Sequence, residues 1–376
     1  MHSDINDLHN DRQHGFRSNR GTHTALGIFY ESIACHYKKG HTIDIVQRDV
    51  SKAFDKVWHD GLRHKILQLN IHPCFTKILN SFITNRTAKI RIGQHTGDAF
   101  PLNSGVPQGA CLSPSLYNLY TRDIPPPIPC TDYVQYADDL TQIISLDINR
   151  VNKNKHRRIA ERTARAIDSI SDYESKWLIK TNTSKFTITP ISRNKTHQVK
   201  LKNNTKIDYK RQVTVLGLHM TTRNIAQHAN HRAGLAKEKL AKLYRFRHLS
   251  QRNKTKLVKS IIIPTLTYPA VPGNVFSDSR MLLLQRVQNK ALRFITNTSL
   301  SDRVRAEALH NRLNFEPINL RIHRLAQRTW ENIKDFHPET YNSLSSVDPP
   351  PPVDQHKWFP SSRRLAENPP TTPIYV

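Results

Sequence analysis

Residues 133–146 read Tyr133-Val134-Gln135-Tyr136-Ala137-Asp138-Asp139-Leu140-Thr141-Gln142-Ile143-Ile144-Ser145-Leu146. Tyr133 to Ala137 and Leu140 to Leu146 predict two strands, and the acidic pair between them predicts the tip of a hairpin. Upstream, Thr42 to Val50 predicts another strand, in which the β-branched Ile43, Ile45 and Val46 precede Asp49. Acids at the tips of adjacent strands can meet in space. Three carboxylates that meet repel one another unless cations join them. Mg²⁺ prefers such hard oxygen ligands and keeps waters and substrate phosphates in its shell. Two such ions ~4 Å apart stabilise both the attacking and the leaving oxygen of an in-line phosphoryl transfer. Adjacent Asp residues are also common in ordinary turns, so the pair alone does not decide the matter.

The charge balance narrows the choice. Lys and Arg total 57 against 30 acids, a formal charge of +27, as expected of a chain that meets a polyanion. Nucleic acid is the first candidate. A membrane surface is the second, but no basic amphipathic helix with a strongly apolar face supports it. No run approaches the ~18 apolar residues of a membrane span, and no apolar leader follows Met1. Cys35, Cys74, Cys111 and Cys130 form no C-x-x-C pair and read as reduced intracellular thiols. The 20 histidines are scattered; His228 and His231, three apart, lack an accompanying cysteine or carboxylate cluster. No G-x-x-x-x-G-K-[ST] or G-x-G-x-x-G loop is present. Basic surface plus clustered acids suggests polymerase or nuclease chemistry.

Along the chain, residues 1–20 are polar and predict an extended lead-in. Helices are predicted over Thr22 to His36, Leu62 to Leu69, Ser113 to Tyr120 and Arg158 to Trp177. Strands are predicted over Phe186 to Ile191 and Val213 to Met220, and Ala88 to Ile92 alternates before a turn at Gly93. After about residue 225 the pattern changes to basic helices: Leu235 to Leu249, Asn253 to Ile263, Met281 to Phe294, Val304 to Leu309 and Leu320 to Phe336. From Ser343 the chain is Pro-rich and predicts a tail without fixed structure. The basic run Lys153 to Arg158 reads equally as a nuclear signal or as a solvated helix start.

Six segments together resemble the reverse transcriptases of non-LTR retrotransposons of the jockey-like and LINE-like kind, in that family's order. They are Gln13-His14-Gly15-Phe16-Arg17 with Arg20-Gly21-Thr22; Asp49 to Trp58 (motif A); Asn103 to Pro114, containing Gly105-Val106-Pro107-Gln108-Gly109 (motif B); Tyr136-Ala137-Asp138-Asp139 (motif C); Trp177 through Asn182 to Lys185 (motif D); and Leu216-Gly217 (motif E). The resemblance implies an α+β right-hand polymerase fold with an antiparallel palm sheet, partial fingers and a helical thumb. Residues 1–40 would be partial fingers, 41–59 palm, 60–102 a fingers insertion, 103–225 palm, 226–342 thumb and 343–376 the Pro-rich tail.

Roles follow position by position. Asp49 and Asp138 match the metal-bridging carboxylates and Asp139 the third acid, with the Val50 carbonyl also facing a metal. Two Mg²⁺ ions, or Mn²⁺, are implied. Phe54 matches the aromatic gate that excludes a ribose 2′-OH, Gln108 the residue that packs near the templating pair, and Lys185 a proton donor to pyrophosphate, while Gly105 and Gly109 would let backbone approach the nucleic acid closely. Arg17 is a fingers residue that would reach template or triphosphate. Asp55 falls outside the triad and reads as structural. The implied partners are an RNA template, a DNA primer and dNTPs, in the nucleus or cytoplasm.

The chain departs from the family pattern in three ways. The upstream fingers motif and the endonuclease are missing, as expected of a fragment. Gln47-Arg48 stands where apolar residues usually precede the catalytic Asp. No terminal Cys/His knuckle is present. Two rival readings stay open: an inactive remnant that only binds nucleic acid, and an RNA-dependent RNA polymerase.

Overall fold

Thr42–Arg48 (β1) is the strand on which the architecture is built. The computed structural model describes residues 10–69, 71–129, 131–147, 154–182, 185–191, 196–345 and 359–375. In it β1 lies inside a four-stranded sheet with Thr131–Tyr136 (β2), Asp139–Leu146 (β3) and Thr187–Ile191 (β4), in the order β2-β3-β1-β4. Every neighbouring pair is antiparallel. The register sets Thr42 opposite Leu146, Arg48 opposite Leu140 and Tyr136 opposite Asp139.

Successive β1 side chains point to opposite faces. Ile43 and Ile45 join Leu26, Phe29 and Ile33 of the helix Thr22–Lys38 (α1) in one core. Val46 joins Ile144, Ile159 and Ile167 in a second core, against the helix Lys155–Lys176 (α4). That second face also buries two charged groups. Asp44 accepts from the Thr163 hydroxyl at 2.9 Å and the Tyr209 hydroxyl at 3.1 Å. Arg48 donates Nε to Glu174 Oε1 at 3.3 Å, Nη2 to the other carboxylate oxygen, and Nη1 to the Ile167 carbonyl at 3.2 Å. Its guanidinium also lies 4.6 Å from the Phe186 ring centre. The charged residue before Asp49 therefore has a built partner on α4.

A third core joins the helix His59–Leu67 (α2) to Ser113–Tyr120 (α3) and to Tyr173 and Trp177. Lys65 is buried among them: Nζ donates to Asp123 at 2.5 Å and to the Tyr173 hydroxyl at 3.1 Å, and sits 3.6 Å from the Trp177 ring centre. Burial pushes its ammonium down to about 8. Between α2 and α3 the chain forms a helix over Pro73–Ile83 and two short hairpins, Arg86–Ala88 with Phe100–Leu102 and Arg91–Ile92 with His95–Thr96.

Two expectations are corrected. The segment Val213 to Met220 is not one strand but a hairpin of Gln212–Val215 (β5) and Leu218–Thr221 (β6). Leu216 and Gly217 both have positive φ, 45° and 79°, which turns the chain there. The Pro-rich tail is also not free of structure: Phe359 is buried in the α1 core, and Ser362–Glu367 forms a helix (α8). Buried Glu31 of α1 caps it, accepting from the Ser361 hydroxyl and from the Arg363 N–H at 3.2 Å. Residues 346–358 of that tail and Lys153 lie outside the described residues.

The helices after residue 225 include Ala226–Leu243 (α5), Asp278–Thr296 (α6) and Ile318–Phe336 (α7). They have their own core around Leu240, Leu284 and Leu292, while Trp330 and Ile333 of α7 pack into the α1 core. Among the described residues no helix is long and apolar enough to cross a membrane.

The Arg48–Glu174 pair makes a stability prediction. Glu174→Ala leaves a buried guanidinium without its counter-ion and should cost about 3–5 kcal/mol. Arg48→Met combined with Glu174→Met, which removes both charges, should recover most of that loss. Urea denaturation of the single and double variants measures both; a single variant within 1 kcal/mol of the parent would show that the pair is not a buried contact.

Candidate active site

The hairpin between β2 and β3 turns at Ala137 and Asp138. Ala137 has φ 55°, a conformation that a residue with a Cβ rarely adopts. Side chains from outside the hairpin hold it there. Gln13 accepts from the Ala137 N–H at 2.8 Å through Oε1 and donates Nε2 to the Ala137 carbonyl at 3.1 Å. The same oxygen accepts from the Gly15 N–H at 2.7 Å. Gln13 bridges to Gln135 in parallel, so residues 12–14 run along β2 as an added edge. A Cβ on Gly15 would lie 2.4 Å from the Ala137 nitrogen, so only glycine permits this approach. Asn118 of α3 fixes the Gly15 carbonyl at 2.9 Å.

Asp49 reaches the same end of the sheet. Beyond Arg48 the chain pairs with residues 180–182: the Ser51 N–H donates to the Lys180 carbonyl at 2.8 Å, and the Asn182 N–H to the Asp49 carbonyl at 3.1 Å. Val50, opposite Thr181, is thus the non-bonded member of that bridge. Its own carbonyl therefore points away from Thr181. The Lys185 N–H donates to the Asn182 carbonyl at 3.0 Å, and Lys185 Nζ lies 2.9 Å from Asp49 Oδ2.

The electrostatics report the crowding of acids. Burial, and then the charge of Asp49, hold the Asp138 carboxyl above the usual range despite an opposing backbone hydrogen bond. Burial, Asp138 and Asp49 do the same to Asp139. Burial and the nearby Asp138 push the Tyr117 hydroxyl well up. Among the described residues, no group of three or more His, Cys, Asp or Glu closes around one ion. Carboxylates such as these are the hard oxygen donors that Mg²⁺ takes, together with waters and substrate phosphates.

Phe54 flanks this cleft. It is half-buried, stacked on Tyr117 with ring centres 4.9 Å apart, and meets Phe16 edge-on at 6.3 Å. Its loop is bound to residues 104–108. The Val106 N–H donates to the Phe54 carbonyl at 2.8 Å, the Gly105 N–H to the Val57 carbonyl at 2.8 Å, and Gln108 Nε2 to Asp55 at 2.7 Å. A Cβ on Gly105 would meet the Asp55 carbonyl at 2.6 Å. Gly109 has φ 84° and open space around it, so the backbone conformation, not room, calls for glycine there.

A family model described as reverse transcriptase (RNA-dependent DNA polymerase) matches residues 2–220. The chain belongs to the reverse transcriptase family. It is 25% identical over 343 residues to a probable RNA-directed DNA polymerase from transposon BS of Drosophila melanogaster, covering 87% of this chain and 37% of that protein. It is 26% identical over 354 residues to the corresponding X-element protein of the same fly, covering 90% of this chain and 37% of the relative. A solved telomerase from Candida tropicalis, in complex with a fragment of telomeric RNA, aligns at 11% identity with a TM-score of 0.45, covering 93% of this chain and 56% of that one. The chain spans just over a third of the length of the curated transposon relatives.

Within this reverse transcriptase chain, Asp49, Val50, Asp138, Asp139 and Lys185 gather at one end of the sheet, with Phe54, Gln108 and Gly109 on the adjoining loops. Arg17 does not join them. Its side chain is 6% exposed and donates to the Asn10 carbonyl at 2.8 Å, bracing the loop from within instead of facing template or triphosphate. Arg20 is turned inward in the same way, onto Asp11. The sequence reading gave no role to Gln13, Gly15 and Asn118, which hold the acidic turn. The signal for Gln13 and Gly15 lies in the Gln13 to Arg17 segment, where only the arginine is given a function; Asn118, inside the helix Ser113–Tyr120, has no such signal.

A carboxyl raised above its unfolded value lowers stability at any pH above that value. Asp138→Asn should therefore raise the unfolding midpoint of the metal-free chain at pH 7, by about 1–3 °C for one buried charge removed, and with it the repulsion from Asp49, in a chain of this size. The gain should vanish as pH falls below the ordinary carboxylate value near 4, where Asp138 is protonated in both states. Differential scanning fluorimetry across pH tests this, and a lower midpoint for the variant at pH 7 would contradict it.

Proposed function

We propose that this chain is an RNA-directed DNA polymerase that adds dNTPs to a primer 3′-OH on an RNA template. The observation that carries the reading is the meeting of Asp49 and Lys185 beside the Asp138-Asp139 turn. Asp49, Asp138 and Asp139, with the Val50 carbonyl, would hold two Mg²⁺ ions, or Mn²⁺. When bound, such ions lower the pKa of the 3′-OH and neutralise charge on the triphosphate.

The remaining chemistry belongs to the chain's own groups. The primer 3′-OH gives its proton to solvent, its oxygen forms a bond to the α-phosphorus, and the bond from that phosphorus to the bridging oxygen of pyrophosphate breaks. Lys185, held 2.9 Å from Asp49 in this structure, would turn to the triphosphate and donate its proton to the departing pyrophosphate. Phe54, backed by Tyr117, packs beneath the incoming sugar and leaves no room for a 2′-OH. Gln108 packs near the templating pair, and Gly109 lets backbone approach the nucleic acid closely. Sequence enters through base pairing with the template, while the protein's basic surface meets backbone. In this reading residues 1–40 are partial fingers, 41–59 and 103–225 palm, 60–102 a fingers insertion and 226–342 thumb, and the protein works inside the cell, in nucleus or cytoplasm.

Primer extension on poly(rA)/oligo(dT) tests the proposal directly. Asp138→Asn should abolish extension while leaving affinity for an RNA–DNA duplex within about twofold of the parent, since one acid facing the cleft adds little to backbone binding. Wild-type extension by this variant would overturn the mechanism. A parent that binds duplex but never extends would leave only a nucleic-acid-binding remnant.

Sugar choice is a separate expectation. Phe54→Val should raise rNTP incorporation while keeping much of the dNTP activity. Because Phe54 is only half-buried, the variant should lose less than the ~3–5 kcal/mol typical of truncating a core Phe. Ribo- and deoxynucleotide extension rates, read beside a melting curve, separate the alternatives: a folded, active and equally selective variant would remove Phe54 from the role of gate.

A further inference from the structure

At the end of the helical region away from the sheet is a cavity of about 820 Å³ that none of the chemistry above uses. It lies where α5 and α6 end. These two helices run side by side in the same direction: Arg280 near the start of α6 donates to Asn230 near the start of α5 at 2.7 Å, and Tyr244 just past α5 meets Phe294 near the end of α6 at 5.4 Å between ring centres. The start of α5 is joined to the sheet side, with His228 bonded by the His219 N–H of β6. The 14 residues from Asn230 to Tyr244 carry the cavity roughly 20 Å along the axis from there.

The lining combines flat apolar surface with positive charge. Tyr244, Arg247, His248, Lys290, Phe294 and Leu300 all contribute. Tyr244 is 49% exposed although its ring has an apolar neighbour, and Leu300 is 73% exposed. Residues 235–260 hold nine Lys and Arg against the single acid Glu238. Two helix C-termini would by themselves repel an anion. Here the loop beyond α6 is already satisfied: Arg293 donates to the Ser299 and Val304 carbonyls at 3.0 and 2.7 Å, and Lys254 to Asn297 at 2.7 Å. Among the described residues neither the Arg247 guanidinium nor the Lys290 ammonium has a side-chain partner, which leaves both for a ligand.

We infer that this cavity is a docking site for single-stranded nucleic acid, in which a base stacks on Tyr244 while Arg247 and Lys290 meet the flanking phosphates. Exposed aromatic faces combined with basic groups are the elements of sequence-tolerant single-strand binding. A duplex keeps its bases stacked on one another and offers nothing to Tyr244, so the site selects unpaired strand. An acidic peptide would use the two cations but not the ring. The inference deepens the polymerase reading by adding a second hold on unpaired strand away from the site of extension, and it can be tested whether or not the chain extends primers.

The probe is a fluorescein-labelled 12-mer of uridine, titrated by anisotropy against the whole 376-residue chain at fixed salt, with a blunt RNA–DNA duplex as the comparison. Tyr244→Ala should weaken 12-mer binding about tenfold, the effect of one lost stacked base. Tyr244→Phe, which keeps the ring, should restore it. Arg247→Glu should weaken the 12-mer further, and all three variants should bind duplex within about twofold of the parent. Far-UV circular dichroism confirms that each is folded; because Tyr244 touches Phe294, Arg247→Glu serves as the decisive variant should Tyr244→Ala unfold. Unchanged 12-mer binding by Arg247→Glu, or parallel loss of 12-mer and duplex, would overturn the proposal, the second outcome reducing the cavity to general surface charge. Where the parent extends primers, extension on a short template should be unchanged in these variants.

Discussion

The register of β1 is the constraint from which the rest of the site follows. Asp44 and Arg48 lie on the face of the strand that packs against α4, and partners meet them there, the Thr163 and Tyr209 hydroxyls for Asp44 and Glu174 for Arg48. A slip of one residue would turn both charged groups into the α1 core, where Ile43 and Ile45 now sit, and strand them among aliphatic side chains. A hydrophobic β1 would pack, but little would distinguish one register from the next. The two buried charges fix the register, and the register delivers Asp49 to the end of the sheet where the β2–β3 turn presents Asp138 and Asp139.

The strands and the acidic sites were legible because they have local signatures: alternation or β-branching over five to eight residues and acids at the strand ends. Ser113–Tyr120 was legible because its proline sits at the tolerated start of a helix. Other features carry no such signature. The Gln13 clamp joins an amide to a backbone 124 positions away, a contact that no window along the chain can register. The split of Val213 to Met220 into two strands depends on Leu216 adopting a positive φ, which leucine does not announce. The helix Pro73–Ile83 was absent from the expectation, although Phe75, Ile78, Leu79 and Phe82 recur at helical spacing. The tail was misread because composition reports what a segment does alone. Ser362–Glu367 is only six residues long and takes its stability from what it docks against.

The site also shows how stability is traded for chemistry. Three carboxylates gathered beside one another, a turn residue held at positive φ and a lysine drawn onto the first carboxylate are each unfavourable or neutral for folding alone. The Gln13 amide, the Gly15 approach and the Asn118 bond hold the turn; the Arg48–Glu174 pair and the Lys65 cluster hold the strand end and the loops behind it. The Gln13, Asn118, Arg48, Glu174 and Lys65 residues that provide this support are all buried.

The capping of α8 by Glu31 ties two positions 330 residues apart in sequence into one unit of inheritance. Glu31 is buried, and burial holds its carboxyl above the usual range, so without Ser361 and the Arg363 N–H it would be an isolated acid inside the α1 core. A lineage that lost the end of the chain would therefore come under selection at position 31, with an uncharged or apolar residue favoured once the cap had gone. Among descendants of a common ancestor, substitution at 31 and loss of the 361–363 segment should be found together, and either alone should be short-lived.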